Sequence, residues 1–165
     1  MPIKKRLSII LVLLVFSQGN GQILDSLIHI YGEVAHSDHQ HSLDHTFLKI
    51  KSDKKEKYLL VCSKNGLFDH WLHSDREYEI VCRKKGFVSK KIIVNTYGIP
   101  MEKRIPGFSM QMDFKLFEKV KGQKFPFLRE PMGRSSYDRE EDNMVWNFDQ
   151  INKIKEKIRQ VREKD

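Results

Sequence analysis

Cysteine is scarce in this 165-residue chain: Cys62 and Cys82 are the only two. Long apolar runs are missing as well. The most apolar stretch, Leu7 to Phe16, spans ten residues, about half of the roughly 20 that cross a bilayer as a helix. There is no Gly-x-Ser-x-Gly elbow, no His-Glu-x-x-His helix and no glycine loop of the kind that cradles phosphate, so the commonest hydrolase, metalloprotease and nucleotide-binding signatures are excluded. Internal repeats and low-complexity tracts are absent too. What remains is 39% apolar and 32% charged residues, too apolar for a disordered polymer and too polar for a membrane bundle.

The net charge of +8 includes three positive charges grouped at Lys4, Lys5 and Arg6, directly before the apolar stretch. Ser17-Gln18-Gly19-Asn20-Gly21-Gln22 follows it. A basic, then apolar, then small-residue order reads as a secretory signal peptide over residues 1–22. No cysteine sits near its end to be acylated, so a soluble mature form in the periplasm or near an outer membrane is expected. Export removes cytoplasmic nucleic acid as a partner. The residual charge reads as ordinary solubility.

Within an expected sandwich domain over residues 23–120, the dominant period from Ile28 to Thr96 is two. Tyr78, Ile80 and Cys82 alternate with Glu77, Glu79 and Arg83, and Ile92 and Val94 alternate with Lys91 and Asn95, as in half-buried strands. Leu48 and Ile50 mark a shorter one. Tyr58 to Cys62 is apolar on both sides, which predicts a central, doubly covered strand. Asn65-Gly66 predicts a two-residue hairpin turn, with Phe68 and Leu72 beyond it. Met110, Met112, Phe114 and Leu116 predict one further strand. From 121 to 147, Gly122, Pro126, Pro131, Gly133, Ser135 and Ser136 predict an irregular extension. A helix over 148–165 closes the chain, with Asp149 as its expected N-cap and Ile151, Ile154, Ile158 and Val161 on one face. Short strands without helices among them predict an antiparallel β-sandwich followed by an amphipathic α-helix, an all-β fold class with one terminal helix.

The segment Asn65-Gly66-Leu67-Phe68 … Leu72 … Arg76-Glu77-Tyr78-Glu79-Ile80 … Lys85-Gly86-Phe87 … Lys90-Lys91-Ile92-Ile93-Val94 resembles the carboxypeptidase regulatory-like, prealbumin/Ig-like modules of small exported Bacteroidetes proteins. Ile30-Tyr31-Gly32-Glu33-Val34 is similar to their opening strand. Phe114 to Phe117, Glu130 to Gly133 and Tyr137 look like the tail of a subgroup. The resemblance spans about residues 28 to 150. It implies a β-sandwich acting as spacer, stabilising appendage or docking surface, without catalysis. Prealbumin-like folds also include hydroxyisourate hydrolases, but their Arg-Gly-Ser ending is replaced here by Arg162-Glu163-Lys164-Asp165, and Gly133-Arg134-Ser135 is internal and misordered. At His70 the chain departs from the module, where an apolar residue is usual. Trp71 is expected on the solvent face.

Three features can carry chemistry. His36, Asp38, His39, His41, Asp44 and His45 gather imidazoles and carboxylates on one loop, which could hold Zn or Cu; the alternative is a polar loop. Cys62 and Cys82, in an oxidising compartment, could form a disulfide closing about 20 residues, a gain of roughly 3 kcal/mol, or remain buried thiols. The isoleucine stripe of the terminal helix either packs on its own sandwich, the favoured expectation, or docks a partner or an anionic membrane. The reading as a whole is a structural or adaptor protein of the cell envelope with a protein partner at Trp71 and the helix. Metal binding is the runner-up.

Overall fold

Among the described residues the chain forms ten strands, β1 (Leu27–His36), β2 (Phe47–Ser52), β3 (Lys57–Val61), β4 (Leu67–His73), β5 (Glu77–Arg83), β6 (Lys90–Asn95), β7 (Phe108–Gln111), β8 (Phe114–Leu116), β9 (Gly133–Asp138) and β10 (Asn143–Trp146). A four-residue helix, α1 (Met101–Arg104), precedes β7, and α2 (Phe148–Arg162) ends the chain. This computed structural model describes residues 27–39, 41–104 and 107–163. The expected signal peptide, residues 1–22, lies outside the described residues.

The strands form two sheets, one of four strands in the order β4-β1-β7 with β8 also on β1, the other of six in the order β10-β9-β6-β5-β2-β3. Between them lies one core, in which Ile28, Ile30, Leu48, Ile50, Leu72, Tyr78, Ile80 and Val94 are fully buried. The expected all-β sandwich with a terminal helix is what the chain adopts. Its pairing is mixed rather than uniformly antiparallel: β7 and β8 run parallel to β1, and β9 runs parallel to β6.

Several local expectations fail for physical reasons. The apolar run at 58–62 is an edge, not a centre. Only Tyr58, Leu60 and Cys62 turn inward, while Leu59 and Val61 are 64% and 75% exposed. Asn65-Gly66 makes its tight turn, with Gly66 at φ 69°, yet β3 and β4 belong to different sheets, so the turn carries the chain from one layer to the other. A Cβ on Gly66 would lie 2.4 Å from the Val34 carbonyl oxygen, which requires glycine there twice over. The strand expected through Met110 to Leu116 is broken into β7 and β8. At the break, Asp113 Oδ1 accepts the Glu33 N–H at 3.1 Å, and a Cβ on Gly32 would meet the Met112 carbonyl oxygen at 2.2 Å.

Residues 121–147 are not an irregular appendage. After a 3-10 turn at Pro126–Arg129, β9 and β10 extend the six-stranded sheet. The helix begins earlier than Asp149: Asn147 caps it, its side-chain oxygen accepting the Gln150 N–H at 3.0 Å.

Candidate functional site

The His-rich segment leaves the end of β1. His36 is buried, and its Nδ1 accepts the backbone N–H groups of Asp38 and His39 at 3.0 and 3.3 Å. That imidazole nitrogen is therefore spent on holding the turn. The rings of His36, His39 and His41 gather, with centroids 4.6, 5.2 and 6.0 Å apart, the His41 ring stacking on both others. His45 stands apart, its side chain 87% exposed and its Nδ1 2.9 Å from Asp44. Asp38 serves a different purpose from the one its spacing suggests. Arg162, in the last turn of α2, grips both of its carboxylate oxygens at 2.9 and 2.5 Å. Those hydrogen bonds pull the Asp38 carboxyl down to about 2. Among the described residues no group of three or more His, Cys, Asp or Glu side chains has the geometry to hold a metal ion.

Cys62 and Cys82 are free, buried thiols. Of the two alternatives, disulfide or buried thiols, the sheet order explains why the second is found. Cys62 lies across from Thr46 and Cys82 from Leu48, so all of β2 stands between them. Two strand spacings put their backbones about 10 Å apart, beyond the roughly 7 Å that a disulfide tolerates. Burial raises both thiol pKa values, which leaves neither as a ready nucleophile.

The helix stripe is consumed internally. Ile154 and Ile158 are buried with Phe117, packed by Val88, Phe125, Phe127, Leu128 and Met132. Ile151 rests on Gly133, where a Cβ would approach its Cγ1 to 2.9 Å. Val161 is half-buried. The helix therefore covers the β8–β9 end of the sandwich, not the 58–62 strand. Beneath it Lys90 is buried, its Nζ donating to the Lys115 carbonyl oxygen and lying 5.4 Å from the centre of the Phe117 ring, on which Arg162 also rests. Desolvation lowers the Lys90 pKa to about 8. The partner surface expected at Ile151, Ile154, Ile158 and Val161 is thus an intramolecular contact. No described helix is long and apolar enough to cross a membrane.

Trp71 is where alternation placed it. Phe68 and Leu72 point into the core, while Trp71 is 50% exposed on the outer face of the four-stranded sheet. Its ring stacks on His29, directly opposite on β1, at 4.5 Å, and His29 stacks on Tyr31 at 5.2 Å. Asp69 accepts from His29 Nε2 at 2.5 Å and helps to hold that ring upright. Beside the row lies an open trough of about 460 Å³ lined by Tyr31, Gly32, Glu33, Leu67, Phe68, Asp69, Gln111 and Asp113. Sequence reading found Trp71 but missed its companions. Their signal was present in the outward series His29, Tyr31, Glu33, opposite Leu67, Asp69 and Trp71.

The chain matches no protein-family model and no curated protein sequence. Among solved structures it is similar to the 3-chlorocatechol 1,2-dioxygenase of Rhodococcus opacus 1CP, at TM-score 0.44 and 12% identity over 58% of this chain and 61% of that one. It is also similar to the catechol 1,2-dioxygenase of Acinetobacter sp. ADP1, at TM-score 0.43 and 10% identity over 62% and 56%. A third is the pilus 2b backbone protein of group B streptococcus, at 0.38 and 12% over 56% and 42%. The chain thus spans less than two thirds of each of these structures. At TM-scores of 0.38 to 0.44 the likeness assigns this chain neither a family nor an activity.

Proposed function

We propose that this is an exported, non-catalytic β-sandwich protein that serves as a structural or adaptor module in the cell envelope. It would bind a protein partner through the outer face of the four-stranded sheet. The observation that carries the reading is the exposed row Trp71–His29–Tyr31, built on paired strands and covered by no element among the described residues. Large aromatic side chains with one open side are the residues on which protein interfaces most depend. The resemblance to carboxypeptidase regulatory-like modules agrees with a docking role. Against catalysis stand two protonated, buried thiols and histidines engaged in turn-holding or stacking.

The test is a photo-crosslinking amino acid placed in living cells at 67 or 71, and at 152 or 160 on the exposed side of α2 for comparison. A discrete crosslinked band from 67 and 71 only supports the reading. Equal or absent bands from all four positions overturn it.

A second reading, metal handling by the 36–45 loop, starts from the three imidazoles within 6.0 Å of one another, which would have to turn their nitrogens inward to form a ligand set. Stoichiometric Zn or Cu binding by untagged protein, lost in a His39→Ala/His41→Ala variant, would put it first.

A further inference from the structure

The two outer faces of the sandwich differ in charge. On the four-stranded sheet, Glu33, Asp69 and Asp113 surround Tyr31, Leu67 and Trp71, and none of the three carboxylates pairs with a lysine or arginine among the described residues. Elsewhere such pairing is common: Glu56 has Arg76, Glu77 has Arg134, Glu79 has Lys91 and Asp75 has Arg104. On the six-stranded sheet the outward positions of β2, β3 and β5 form a grid. Lys51, Lys49 and Phe47 lie beside Lys57, Leu59 and Val61 on one flank, and Glu79, Val81 and Arg83 on the other. Lys49, Lys51, Lys57 and Arg83 pair with no carboxylate among the described residues. Among the described residues nine large hydrophobic side chains are exposed, and five of them, Tyr31, Leu59, Val61, Leu67 and Trp71, belong to these two faces.

We infer that the partner of the Trp71 face is a second copy of this chain, which presents its β2–β3 face. This rests on the reading of the Trp71 face as a docking surface and names its occupant. Each face combines exposed apolar side chains with an excess of one charge, acidic on the first even with His29 against Asp69 and Lys115 beside Ala35, basic on the second even with Glu79 opposite Lys51, and the two excesses are opposite. Like-with-like pairing of either face would set carboxylate on carboxylate or lysine on lysine. The acidic-aromatic face against the basic-aliphatic face satisfies both. Two twisted sheets can pack face to face at about 10 Å. Because the faces lie on opposite sides of one sandwich, the contact is heterologous and does not close on itself, so copies add in a row. Attraction that depends on exposed charge weakens with salt.

Sedimentation velocity of the purified protein over a wide concentration range tests this. Low salt should give species that grow past the dimer with concentration, and high salt should return the monomer. Asp69→Ala/Trp71→Ala blanks one face and Lys49→Ser/Leu59→Ser blanks the other. All four side chains are solvent-facing, and unchanged melting curves establish that each variant folds. Each variant alone should be monomeric, and their mixture should give a one-to-one dimer that grows no further. A wild-type monomer under every condition overturns the inference, as does a closed dimer or a mixture that stays monomeric. If the wild type is monomeric while crosslinks at 71 capture a different protein, self-association fails and the docking face survives. If crosslinks at 71 fail as well, the docking reading falls with it.

Discussion

The terminal helix and the Trp71 face begin as equals in the sequence, each an apolar series with charged neighbours. The fold treats them in opposite ways. Ile154 and Ile158 find Phe117 and the aromatic cluster of residues 125–128 and are buried, whereas Trp71 and Tyr31 each stack on His29 and, like Leu67, stay half-exposed. An apolar series stays open when no described element covers it, and periodicity alone does not report the cover. The helix stripe is packed inside the molecule; the sheet face meets solvent.

The sharpest way to break that contrast is to truncate one anchor on each side. Ile158→Ala should destabilise the protein by about 2–4 kcal/mol, while Trp71→Ala should change stability by less than about 0.5 kcal/mol. Urea unfolding measures both, and comparable losses would show that the Trp71 face is also part of the stabilising packing.

A smaller effect of opposite sign is expected under the helix. Burial lowers Lys90 to about 8 from an ordinary 10.5. The folded state is then penalised for holding this charge below pH 8, and the penalty fades as pH rises from 8 to 10.5, where the unfolded chain also loses the proton. Lys90→Met should therefore stabilise at neutral pH by about 1–2 kcal/mol, after allowing for the lost hydrogen bond to Lys115. That gain should shrink steadily up to pH 10.5. A pH-independent difference would mean that packing, not desolvation, separates the two side chains.

The smallest effect concerns the tip of the helix. Asp38 is held down to about 2 by Arg162, so the ion pair contributes fully above the ordinary carboxylate value near 3.8 and is lost as pH falls toward 2. Both side chains are partly exposed, which limits the contribution to about 0.5–1 kcal/mol. Asp38→Asn should lower stability by that amount at pH 7 and by progressively less as pH falls from about 4 through 2, as thermal melts across that range would show.

Much of the sandwich was legible from side-chain alternation. Tyr78, Ile80 and Cys82 point inward as the pattern requires, and Trp71 points out. The position of 58–62 was not legible, because five apolar residues in a row look the same in a covered strand and at an edge where Leu59 and Val61 meet solvent. Residues 133–146 were missed because Gly133, Ser135 and Ser136 are weak strand formers, ordered here by pairing with β6. The site was half legible. Trp71 stood out by itself, but His29 and Tyr31 become its partners only through the register of β1 on β4. Asp38 looked like a ligand because its spacing to four histidines is a local fact. Its true partner lies 124 residues away.

That distance has a consequence for the order of folding. The first loop of the sandwich is fastened by the last turn of its helix, so no partial chain lacking that turn can fasten it. Loop closure over so long a separation is entropically slow to arrive and comes after local contacts have formed. Formation of the Arg162–Asp38 contact is thereby a signal of completion: a chain that has made it has already brought its last turn back to its first loop.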